Sequence, residues 1–104
     1  MQQSAQTLSA ILDLGEAMLE AGAEVSRVET AISLLARAYG FTRVNAYTTM
    51  YSIVVSADDP AGDILTQTRR ISRLGNDLHR LEQLNALSRR LCAHPAPAEE
   101  MLAA

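Results

Sequence analysis

Between Ser4 and Ala21 the apolar positions Leu8, Ile11, Leu12, Gly15, Met18 and Leu19 recur at spacings of three and four, which places them on one stripe of a helix. Asp13, Glu16 and Glu20 then share the opposite, solvated side. Gly22 follows the last periodic residue and is placed to end the helix, because glycine takes the left-handed conformation without a Cβ penalty. A second helical pattern runs from about Val25 to Tyr39. Val28, Ile32, Leu35 and Tyr39 lie on one face, Ala31, Leu34 and Ala36 widen it, and Gly40 closes it. So short a connection predicts an antiparallel αα-hairpin with the two apolar faces in contact.

After Gly40 the period changes from 3.6 to 2, and β-branched and aromatic residues take over in "TRVNAYTTMYSIVVSA". This predicts one strand from about Arg43 to Thr48 and a second from Tyr51 to Ala57, joined at Thr49 and Met50. In the second strand Tyr51, Ile53 and Val55 alternate with Ser52, Val54 and Ser56, giving one distinctly apolar face. "DDPAG", Asp58 to Gly62, is a turn with a backbone reason for each residue type, and a third strand from Asp63 to Ile71 returns from it. Leu78, Leu81, Leu84, Leu87 and Leu91 mark a third helix, with Asn76 or Asp77 as its cap and Arg89 and Arg90 in its last turn, where cations complement the macrodipole. The order α-α-β-β-β-α defines an α+β fold, a three-stranded antiparallel meander with helices packed on one face. Residues 1–93 are expected to form one soluble domain, and residues 94–104, "HPAPAEEMLAA", a Pro/Ala-rich tail or linker.

Composition adds limits to this picture. In 104 residues with four aromatics and no tryptophan, a single core rests on Leu, Ile, Val, Met and Ala, so the stability margin is thin and part of the surface has use for a partner. A net charge of -3 argues against nucleic acid as a partner, since phosphate neutralisation needs clustered cations. All nine basic residues are arginine, which suits planar, bidentate pairing with carboxylate or phosphate and equally fits a GC-rich genome. One cysteine, Cys92, excludes an intrachain disulfide, and the N-terminal stretch has no signal-peptide pattern; both point to the cytoplasm. No run reaches the roughly 20 apolar residues of a spanning helix.

Generic chemistry is sparse. His79, Cys92 and His94 lack metal-ligand spacing, so neither a metal site nor a cofactor is expected. No nucleophile elbow or phosphate-cradling glycine motif occurs, and no catalytic residue is assigned. Two polar constellations remain. One is Glu24, Arg27 and Glu29. With a helix start near Ala23, Glu24 is an acid in the first turn and Glu24 with Arg27 an i, i+3 pair, whereas Glu29 falls on another side. The other is Arg69, Arg70 and Arg73 ahead of the third helix, which either hold an anion at its free amides or pair with Asp58, Asp59 or Asp63.

The runs "LGEAMLEAGAEVSRVETAISLLARAYG", "VNAYTTMYSIVVSADDP" and "RRISRLGNDLHRLEQLNALSRRL" together resemble the soluble N-terminal domain of the threonine/serine exporter family. The most specific parts are G-A-E-x-x-R-V-E at Gly22 to Glu29, R-x-G-x-D-L at Arg73 to Leu78 and N-x-L-S-R at Asn85 to Arg89. The resemblance implies a role in export of threonine, serine or related small metabolites, beside a membrane-embedded exporter half or partner chain at the cytoplasmic face of the inner membrane. Such a domain cannot by itself carry substrate across a bilayer. The matched polar positions are Gly22, Glu24, Arg27, Glu29, Arg73, Asp77 and Arg89; of these Glu24, Arg27, Glu29, Arg73 and Asp77 are expected to converge near one end of the sheet, where arginine suits a ligand's carboxylate and glutamate its ammonium. The leading expectation is therefore a regulatory or substrate-handling domain that binds a small amino acid or carboxylate. The alternatives are a small hydrolase, with Glu24 or Glu29 as general base and arginine stabilising an oxyanion, and an oligomerisation module that forms a homo-oligomer.

Overall fold

The computed structural model describes residues 2–101. Its elements are α1 (Gln2–Glu20), α2 (Val25–Ala38), β1 (Thr42–Thr48), β2 (Ser52–Asp58), β3 (Ile64–Arg70), α3 (Leu78–Ala93) and a short 3-10 turn, Ala98–Glu100. This is the α+β fold of order α-α-β-β-β-α, with an antiparallel sheet in the order β1-β2-β3.

The stripe of α1 is wider than its sequence spacing indicates, because Leu14 and Ala17 are buried together with Leu8, Ile11, Leu12, Met18 and Leu19. A helix buried on that breadth is central: α1 packs against α2, α3, β3 and the 3-10 turn. Val28, Ile32, Leu35 and Ala36 of α2 meet it from one side and Leu84, Leu87 and Leu91 of α3 from another. Ile53, Val55 and Ala57 bring the inner face of β2 to the same core. Each buried Leu, Ile, Val or Met side chain contributes about 1.5–3 kcal/mol by leaving water.

Both helix stops act through left-handed glycines. Gly22 has φ 105° and Gly40 φ 91°. After each, an amide reaches back to close the last turn: Ala23 N–H donates to the Met18 carbonyl and Phe41 N–H to that of Ala36, both at 3.0 Å. The β1–β2 connection, which has no Gly, Asn or Asp, is made instead by a hydroxyl. Thr49 Oγ1 accepts the N–H groups of Tyr51 and Ser52 at 3.1 Å each. Tyr51 consequently belongs to this turn and is exposed, rather than extending the apolar face with Ile53 and Val55. The β2–β3 turn is held by the buried Asp59, whose Oδ1 accepts from Ala61 N and Asp63 N at 2.9 Å. In β1 the register shifts between Thr42 and Asn45, where Arg43 takes φ 51°; the strand carries a bulge that the alternation does not reveal.

The acidic side of α1 is less solvated than its periodicity predicts. Arg69 of β3 donates to the carbonyl and hydroxyl of Ser9 at 3.2 and 2.7 Å and to Asp13 at 3.3 Å, and lies 3.8 Å from Glu16. Arg69 thus ties β3 to α1, and its carboxylate partners are on that helix rather than Asp58, Asp59 or Asp63. Residues 95–101 pack on the helices: the Tyr39 hydroxyl donates to the Ala96 carbonyl at 2.6 Å and accepts from its N–H at 2.9 Å, and Met101 is fully buried.

Candidate functional site

The start of α2 and the approach to α3 lie side by side. Asp77 N–H donates to the Ala21 carbonyl at 3.0 Å, and a Cβ on Gly75 would stand 2.8 Å from the Glu20 carbonyl oxygen, so glycine permits this approach. The backbone therefore brings the Gly22–Glu29 run against the Arg73–Leu78 run.

The side chains in these runs divide by what they do. Asp77 caps α3, its Oδ1 accepting Arg80 N–H at 3.0 Å. Glu29 Oε2 accepts the N–H of Thr48 at 2.8 Å, bridging α2 to the end of β1. Glu24 is the N-cap residue of α2, not a first-turn acid, and its side chain makes no cap hydrogen bond. It stands 3.9 Å from Arg27, with both side chains more than 70% exposed (78% and 72%), a pair worth a few tenths of a kcal/mol at most. Arg73 is exposed in the irregular segment between β3 and α3. Of the three arginines ahead of α3, strand alternation turns Arg69 inward and Arg70 to the opposite face, beside Ser52, so the three do not form one anion cluster.

An open groove of about 370 Å³ runs between α2 and α3. Its polar rim includes Arg27 and Thr30 of α2 with Asn85 and Arg89 of α3, and Met18, Ala31 and Leu34 supply apolar wall. Asn85 and Arg89 are four residues apart and so share a helix face; Arg90, not Arg89, occupies the last turn of α3. A second open groove, of about 630 Å³, at the start of α2 is lined by Glu24, Glu29 and Met50 among others, and Ser26 is common to both. Neither Arg73 nor Asp77 lines these two grooves. Reading α3 mainly as a leucine stripe leaves Asn85 and Arg89 out of the expected convergence, although both stand in the N-x-L-S-R run and their four-residue spacing puts them on one helix face.

Two guanidinium groups and an amide across a partly apolar groove suit a small anion with a short side chain: a carboxylate takes the planar forks and hydroxyls meet Asn85, Ser26 or Thr30. Elsewhere, burial pushes the Cys92 thiol up and disfavours the nucleophilic thiolate.

A family model described as threonine/serine exporter, ThrE, matches residues 9–104 of the chain. The chain matches no curated protein and no solved structure.

Proposed function

The chain belongs to the threonine/serine exporter family, and from that membership and the α2–α3 groove we propose that it serves export by binding, as a regulatory or substrate-handling domain for a small amino acid. The observation that carries this reading is the meeting of Arg27 with Asn85 and Arg89 in one groove, which joins two sequence runs that lie far apart in the chain. The carboxylate of threonine or serine sits between the two guanidinium groups, its hydroxyl reaches Asn85 or Thr30, and a methyl rests on Ala31 and Leu34. Glu24, which stands 3.9 Å from Arg27 and makes no cap hydrogen bond, receives the ammonium, whereas Glu29 and Asp77 hold the backbone amides of Thr48 and Arg80, and Arg73 lies outside the groove. No helix among the described residues is long and apolar enough to cross a membrane. Translocation therefore belongs to a membrane-embedded half or partner chain, with this domain at the cytoplasmic face.

Calorimetric titration with threonine, serine and small dicarboxylates tests the reading. Arg27→Ala and Arg89→Ala are each expected to weaken binding at least tenfold, with Arg73→Ala having a smaller effect. Absence of heat at millimolar ligand refutes binding; loss of affinity in Arg73→Ala alone moves the site out of the groove.

A further inference from the structure

The α2–α3 groove carries more positive charge than an amino acid answers. Arg27 and Arg89 are the charged side chains of its lining, and among the described residues no carboxylate lines it. The chain as a whole has a net charge of -3, so a wall with two cations and no acid is a local departure. Neither guanidinium is held by the fold. Arg27 stands 3.9 Å from the exposed Glu24, beyond hydrogen-bond reach, and Arg89 has no ion pair among the described residues. The carboxylate of threonine or serine answers one of these charges, but its ammonium brings another, which Glu24 alone is placed to meet. With Glu24 counted, the groove keeps one uncompensated positive charge before and after a zwitterion binds.

The other polar groups of the groove also favour an anion. Thr30 gives its hydroxyl proton to the Ser26 carbonyl at 3.0 Å, which leaves the Ser26 hydroxyl, the Asn85 amide and the two guanidinium forks among the donors toward a ligand. Ser26 and Arg27 lie in the first turn of α2, which has no side-chain cap, so the positive end of the helix dipole adds to the field on that side. We infer that the groove takes a small phosphomonoester as a dianion, in competition with the amino acid, an inference that rests on the reading of this groove as a ligand site. A phosphomonoester carries close to two negative charges at neutral pH. It concentrates them in one tetrahedral group, whose oxygens take the planar fork of Arg27 from α2 and that of Arg89 from α3. Met18, Ala31 and Leu34 then offer apolar wall to a short carbon skeleton. A rising level of such a metabolite displaces the amino acid, so the groove is a point at which substrate handling is restrained.

Calorimetric titration at about pH 7.5 with ethyl phosphate and ethyl sulfate separates charge from shape, because the two are alike in size and differ by one negative charge. Ethyl phosphate is expected to bind about tenfold more tightly than ethyl sulfate or serine, and to displace serine. Arg27→Ala and Arg89→Ala, both at exposed positions, should each weaken it about tenfold with an unchanged circular dichroism spectrum. Arg89→Lys, which keeps the charge and loses the fork, should weaken it by less. Glu24→Gln is expected to tighten ethyl phosphate and weaken serine, opposite shifts that a structural defect does not produce. Serine binding with ethyl phosphate no tighter than ethyl sulfate overturns the inference and leaves the amino-acid reading standing. Ethyl phosphate binding with serine silent at millimolar concentration does the reverse, and no heat from any of them overturns both. Tighter binding of malonate overturns the inference in favour of a dicarboxylate. Retention on phosphatidic acid vesicles without binding of ethyl phosphate overturns it in favour of a membrane surface.

Discussion

Removing the Glu29 carboxylate tests whether this residue holds the fold together or serves a ligand. Its Oε2 accepts the N–H of Thr48, a residue 5% exposed at the end of an edge strand, at 2.8 Å. A hydrogen bond to a charged acceptor contributes about 1.5–3 kcal/mol, and an amide left without a partner in such a place loses a similar amount. Glu29→Ala is therefore expected to cost about 2 kcal/mol, which in a domain of this size lowers the melting temperature by roughly 8–12 °C. Glu29→Gln keeps an acceptor and loses only its charge, so about 1 kcal/mol is expected. Urea unfolding followed by circular dichroism measures both. Hydrogen exchange then locates the effect: the Thr48 amide loses protection in Glu29→Ala and keeps most of it in Glu29→Gln. If Glu29→Ala unfolds within about 0.5 kcal/mol of the parent chain with Thr48 still protected, the bridge between α2 and β1 is not structural.

Three further outcomes follow from the same coordinates. Burial holds Tyr39 in its phenol form and raises it above its ordinary value, while the Ala96 N–H on its oxygen works the other way and the nearby Cys92 adds a smaller rise. A raised folded-state value means that the stabilisation is whole below the unfolded tyrosine's pKa, near 10, and is lost as pH climbs through the folded one. Absorbance titration should find one late tyrosine, with exchange rising in residues 95–101 over that alkaline window; Tyr39→Phe should cost about 1–2 kcal/mol at neutral pH and remove the late transition. Gly75→Ala should destabilise by about 1–3 kcal/mol, because its Cβ meets backbone at 2.8 Å and no side chain can yield; a neutral result in thermal melts would show the α1–α2 turn sliding freely over residues 75–77. Asp77→Ala should cost about 1 kcal/mol and Asp77→Asn much less, since Asn also caps, as measured by urea unfolding.

The elements were legible in the sequence because each rests on local physics. Period 3.6 gave the helices, alternation the strands, and glycines 22 and 40 the stops, all of which depend on a few neighbouring residues. What was hidden depends on residues distant in sequence. The partners of Arg69 lie on α1, nearly sixty positions away, so adjacency offered Asp58, Asp59 and Asp63 in their place. The role of Glu29 is a bond to a backbone amide, and an amide has no letter in the sequence. The bulge at Arg43 leaves the residue types of a good strand unchanged. Met101 is buried by a segment whose prolines erase periodicity, so its core position carries no pattern.

The polar residues of the family runs also separate by a physical criterion. A side chain used by the fold is held by a short bond to a partner that would otherwise be unsatisfied, as Glu29 and Asp77 are. Arg27 is not held in this way: its partner Glu24 stands 3.9 Å off and both are solvated. Arg89 has no ion pair among the described residues. Two guanidinium groups facing one groove repel, and only the exposed Glu24 carboxylate beside Arg27 stands against that repulsion. An anion placed between them would reverse its sign, so loss of one arginine should leave stability within about 0.5 kcal/mol and reduce affinity. Loss of Glu29 or Asp77 should do the opposite in stability first. Measured on the same four variants, unfolding free energy and ligand affinity should therefore vary independently, and a parallel fall in both for Arg27→Ala would return that residue to the scaffold.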